Sequence, residues 1–115
     1  MEENKNGKRL EKLVAAPAML VGLIDYQEGA VVSRIVIGKT TGTVTLFAFD
    51  EGQSLSEHTT PYDALVYALE GETEIAVSGQ PHRLQAGETI ILPANQPHSV
   101  KAVRKFKMLL IMIRS

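Results

Sequence analysis

From Glu28-Gly29 onward, short runs of β-branched and aromatic residues alternate with breaks marked by Gly, Pro, Asp and Asn. This pattern predicts strands over residues 30–37, 43–49, 54–60, 65–69, 74–78, 82–84, 89–92, 98–103 and 107–113. Turn signals recur every eight to twelve residues, at Gly38-Lys39, Asp50-Glu51-Gly52, Glu70-Gly71-Glu72, Ser78-Gly79-Gln80-Pro81, Ala86-Gly87 and residues 93–97. No amphipathic helical period intervenes between them, so the cadence implies an all-β sandwich or barrel.

Side chains alternate across a strand, which sorts residues by face. His58 and Thr60 share one face and Glu57 and Thr59 the other; Ala64, Val66 and Ala68 point inward. Leu65, Tyr67 and Leu69 point outward yet are apolar, and residues 106–113 are apolar on both faces. A strand buried on both sides of a small barrel needs a second cover. A second copy of the chain, packed by two-fold symmetry, is the expected one, and the N-terminal arm is its competitor.

That arm carries Lys5, Lys8, Arg9 and Lys12 ahead of an apolar run over residues 13–24, a pattern like the basic and apolar parts of a signal peptide. The small residues Ala15, Ala16 and Ala18 open the run, whereas a cleavage site should follow its end, where Asp25-Tyr26-Gln27-Glu28 stands instead. A cytoplasmic protein is therefore expected, and the run is too short to span a bilayer. Pro17 and Gly22 oppose a long regular helix, so a short helical or irregular arm over residues 1–29 should dock on a barrel formed by residues 30–115.

With 115 residues the chain suits one domain and one modest core. Twelve basic residues against thirteen acidic ones create no field that would draw nucleic acid or an anionic membrane, and no Cys is present for disulfides or thiolate ligands. Nucleophile elbows, phosphate loops and dinucleotide fingerprints are also missing from the sequence.

The chemistry concentrates in two stretches. One runs Gly52-Gln53-Ser54-Leu55-Ser56-Glu57-His58-Thr59-Thr60; the other runs from Gly87 through Pro93 to His98. Together they resemble the two motifs of the cupin family, small jelly-roll barrels that usually hold one metal ion. Gly52, His58 and Gly71 match the first motif, and Gly87, Pro93 and His98 the second. Thr60 stands where the family has a second His, Ala64 where it has Glu, and Asn95 where it has Gly. The resemblance covers roughly residues 30–114. It implies an all-β double-stranded β-helix with His58 and His98 in one cavity, able to bind a divalent transition metal such as Fe, Mn, Ni or Zn.

A bulge after Pro61 could turn Asp63 inward and complete a two-histidine, one-carboxylate site; otherwise Asp63 caps the Pro61-Tyr62 turn. Thr60 and Tyr62 are the further cavity candidates. His82 is expected in solvent, Phe47 and Phe49 in the core. Glu70, Glu72, Glu74 and Glu88 are expected as solvated charge, and so are Lys101, Arg104, Lys105 and Lys107. Three functions follow for a small-molecule partner: a metal-dependent oxygenase or isomerase, a metal-free binding or sensing barrel, and a metal-independent sugar isomerase or epimerase with His58 as base and Tyr62 as acid.

Overall fold

The computed structural model describes residues 13–114. Nine strands follow a single turn of 3-10 helix, Leu20–Leu23: β1 (Val31–Lys39), β2 (Gly42–Phe49), β3 (Ser54–His58), β4 (Asp63–Glu70), β5 (Glu72–Val77), β6 (Gln80–Gln85), β7 (Thr89–Leu92), β8 (His98–Ala102) and β9 (Phe106–Ile113). Each lies where the hydrophobic pattern puts a strand. The glycine-marked turns explain the breaks: Gly52, Gly71, Gly79 and Gly87 all take positive φ, a region that a Cβ disfavours.

The strands form two antiparallel sheets, one in the order β1-β2-β9-β4-β7 and the other β3-β8-β5-β6. Neighbours far apart in sequence, such as β2 with β9 and β3 with β8, close the sheets face to face into a jelly roll. Between them lies one core in which Phe49, Val66, Ile75, Phe106 and Met108 are buried, with the rings of Phe49 and Phe106 5.7 Å apart. Ala64, Val66 and Ala68 face this interior as strand parity requires.

The N-terminal arm covers part of the outer face of the five-stranded sheet. Leu23 and Ile24 of the arm pack on Leu46 and Ala48, with Leu20, Val32, Leu69 and Leu109 around them. Lys107 is buried beneath this arm, where its ammonium donates to the Val21 carbonyl at 2.8 Å and lies 4.9 Å from the centre of the Tyr26 ring. The Tyr26 hydroxyl donates to Glu70 at 2.5 Å. Burial, and then the Glu70 carboxylate, hold the Tyr26 phenol well above its ordinary pKa. Glu70 and Lys107 thus both hold the arm: Lys107 is buried and not the solvated charge its sequence context implied, whereas Glu70 keeps a half-exposed carboxylate. His82 is exposed, as expected.

The arm leaves the rest of that face bare. One cross-strand row, Ile37, Val44, Ile111, Leu65 and Ile91, runs across all five strands, and Ile37 and Ile91 at its ends are 53% and 63% exposed. Among the described residues no helix is long and apolar enough to cross a membrane.

Candidate functional site

His58 ends β3 and His98 begins β8, and the two are directly opposed partners in that ladder. Their Nε2 atoms lie 3.2 Å apart, with ring centroids 4.4 Å apart and planes at 69°. Getting both rings to one side takes an irregularity. From the pair Leu55–Val100 to the pair His58–His98, β3 advances three residues and β8 two. The extra residue on β3 reverses its parity, so Leu55 and His58 both line the interior although they lie three positions apart.

Each imidazole is tethered by its other nitrogen. His58 Nδ1 lies 2.9 Å from the Ser56 carbonyl, and His98 Nδ1 lies 3.3 Å from the Gln96 carbonyl. A carbonyl only accepts, so both contacts call for N–H on Nδ1 and leave the Nε2 lone pairs facing each other. Two lone pairs at that distance repel unless a cation or a shared proton lies between them. His98 is buried while His58 is exposed. Burial first, and then the charge of a protonated His58, push the His98 pKa below its ordinary value, although the Gln96 contact opposes this. The pair could also share a divalent ion: nitrogens 3.2 Å apart can both reach a common ion at the usual Zn–N length of about 2.0–2.1 Å, and Nδ1 donation to a carbonyl is the usual support for a ligating His.

The pair heads a cavity of about 180 Å³. Its walls are apolar, drawn from Phe47, Leu55, Val66, Leu92, Val100, Met108, Leu110 and Met112, and Thr60 is the remaining polar side chain on them. Phe47, expected in the core, therefore forms part of the cavity wall, whereas Phe49 is in the core. The Thr60 hydroxyl donates to the Tyr62 carbonyl at 3.2 Å.

The other candidates lie elsewhere. Asp63 pairs with Ile113, and Ala64 with Met112, in regular register, so Asp63 points away from the cavity that Ala64 lines. Its Oδ1 accepts the Ala94 N–H at 2.9 Å, closing the turn between β7 and β8 and not the Pro61-Tyr62 turn. Asp63 thus does not join the histidines, and the described residues contain no group of three or more His, Cys, Asp or Glu placed to hold an ion. Tyr62 lines an adjoining groove with Lys39 and Arg114, its ring 5.3 Å from the Arg114 guanidinium carbon. A base–acid couple of His58 and Tyr62 across one cavity is not assembled.

Ala64 and Val66 line the cavity as strand parity led one to expect, but the groove and the rest of the apolar wall escaped the sequence reading because their residues come from β1, β2, β3, β7, β8 and β9 and the segments beside them, which only the folded topology brings together. The sequence pattern of the cupin domain matches residues 45–114. A conserved protein of unknown function from Streptococcus pyogenes shares the fold with a TM-score of 0.84 and 32% identity, over 88% of this chain and 89% of that one. A cupin superfamily protein from Desulfitobacterium hafniense aligns with a TM-score of 0.83 and 30% identity, over 86% and 91% of the two chains. A polyketide synthase protein of Streptomyces cyaneus is 32% identical over 60 residues, which are 51% of this chain and 39% of that protein's length. A domain pattern spanning more than half of the sequence, joined to a fold shared with these proteins over most of its length, shows that this chain belongs to the cupin family.

Proposed function

We propose that this cupin binds a small molecule in the apolar cavity beneath one divalent transition metal ion, held on Nε2 of His58 and Nε2 of His98. The observation that carries the reading is the 3.2 Å approach of two Nε2 atoms whose Nδ1 partners are both carbonyls. When bound, such an ion would supply Lewis acidity and open positions for a chelating ligand. The chain itself does the rest: Ser56 and Gln96 fix the imidazole tautomers, and Phe47, Leu55, Val66 and Val100 shape the space and exclude water. Oxygenase or isomerase chemistry fits a centre with open positions.

A metal-free sensing or sequestering barrel is the second reading, and the lack of a third protein ligand among the described residues favours it. Elemental analysis of untagged protein, purified without chelator, separates the two. The expected result is near one transition metal per chain, lost in a His58→Ala, His98→Ala double variant of equal folded content. No metal in either protein, even after incubation with Fe(II), Mn(II), Ni(II) and Zn(II), refutes the metal reading.

We also propose a homodimer through the bare row on the five-stranded sheet. The row contains no charge, crosses every strand and ends in exposed isoleucines, a surface that water disfavours. Light scattering at micromolar concentration should give twice the chain mass, falling to one chain in Ile91→Lys, Ile111→Lys. A wild-type mass of one chain removes the dimer.

A further inference from the structure

The groove that holds Tyr62 has a chemistry the cavity lacks. About 160 Å³ in volume, it lies where the β1–β2 turn meets the end of β9, and its lining side chains include Lys39, Thr43, Tyr62, Met112 and Arg114. None of them is acidic. Arg114 reaches only the Thr40 carbonyl, at 3.4 Å, and the face of Tyr62, and neither it nor Lys39 has a carboxylate partner among the described residues. The wall also holds Thr43 Oγ1, buried without a hydrogen-bond partner, and such orphaned hydroxyls call for an explanation.

Groove and cavity adjoin. Met112 lines both, and Thr60 in the cavity bonds to the Tyr62 backbone at the groove. Apart from His58, His98 and Thr60 the cavity is apolar, so a ligand's uncharged chain belongs there and an anionic end does not. Two cations without a carboxylate partner among the described residues, set around a phenol, suit such an end, because a guanidinium fork matches the geometry of a carboxylate.

We propose that the groove is a carboxylate subsite, so that the protein's ligand is a small monocarboxylate anchored between Lys39 and Arg114, with its chain passing Met112 toward the histidines. This rests on the reading of the His58–His98 cavity as the ligand site. It needs no ion there.

The test is an NMR titration of the full chain with hexanoate and with hexanamide, which match in length and differ in charge. Hexanoate should bind at least fivefold more tightly at low salt, shifting signals of Thr43 and Met112 and, deeper in, Val66 and Val100. The preference should vanish in Lys39→Gln, Arg114→Gln, two surface changes checked by an unchanged melting temperature. It should also shrink as salt is raised to about 300 mM, because an open groove is screened. Equal binding of acid and amide, or a preference that survives in the double variant, overturns the proposal. Shifts confined to the groove overturn its link to the cavity. A carboxylate preference in protein that takes up no metal would leave this inference standing while the metal reading fails; metal uptake without the preference would do the reverse.

Discussion

Gly52 and Gly71 have nearly the same φ, +81° and +83°, yet an added methyl group would meet very different surroundings. At Gly52 a Cβ has nothing within 4 Å; at Gly71 it would lie 1.8 Å from the Lys105 carbonyl oxygen and 2.9 Å from the Phe106 Cα. Gly52→Ala therefore costs only the left-handed conformation, about 1–2 kcal/mol. Gly71→Ala incurs that cost and must also push back the segment that leads into the fully buried Phe106, an overpacking cost of about 1–3 kcal/mol or more. The expected totals are about 1–2 kcal/mol for Gly52→Ala and about 2–5 kcal/mol for Gly71→Ala. Urea unfolding followed by circular dichroism, with m compared between variants, reads the difference directly. Equal destabilisation within about 0.5 kcal/mol, comparable to measurement and relaxation effects, would refute the claim that close approach fixes the glycine at position 71.

Two further outcomes follow from the structure. Asp50 accepts the Gly29 and Glu51 N–H groups at 2.7 and 2.9 Å, which, in that order, lower its carboxyl pKa. The folded pKa lies below the unfolded one, so its stabilisation is complete above the ordinary carboxylate range and is lost as pH falls through the lowered folded pKa. The melting temperatures of wild type and Asp50→Asn should converge on acidification; a gap that stays constant to acid pH contradicts this. Lys107→Met removes the donor to Val21 and should release the arm, at about 1.5–3 kcal/mol for a hydrogen bond made by a charged group. Faster amide exchange at Leu23 and Ile24 with β8 unchanged is the expected signature, and unchanged exchange at both residues is the opposing one.

Much of this was legible because strands and turns leave local signals. All nine strands lie where β-branched runs and glycine breaks put them, and residues 89–92 match to the residue. The histidine pair was legible from motif spacing. Asp63 was not, because its partner Ala94 lies 31 residues away on a turn that only the fold brings near. Glu70 and Lys107 read as solvated charge for the same reason: the arm that bonds to both and buries Lys107 arrives from the other end of the sequence. Face parity also fails silently at a bulge, and for that reason Leu55 went unnoticed as a cavity wall beside His58.

That extra residue in β3 has a bearing on how such a centre could change over time. Counting two steps from Leu55 in a regular strand reaches Glu57, so without the irregularity a carboxylate and not an imidazole would stand opposite His98. Deleting Ser56 or Glu57 would instead place His58 there with no irregularity at all. The donor set at this position is therefore written in the backbone register as much as in the side chains. A one-residue length change here can preserve the centre or exchange its ligand without any substitution at either histidine.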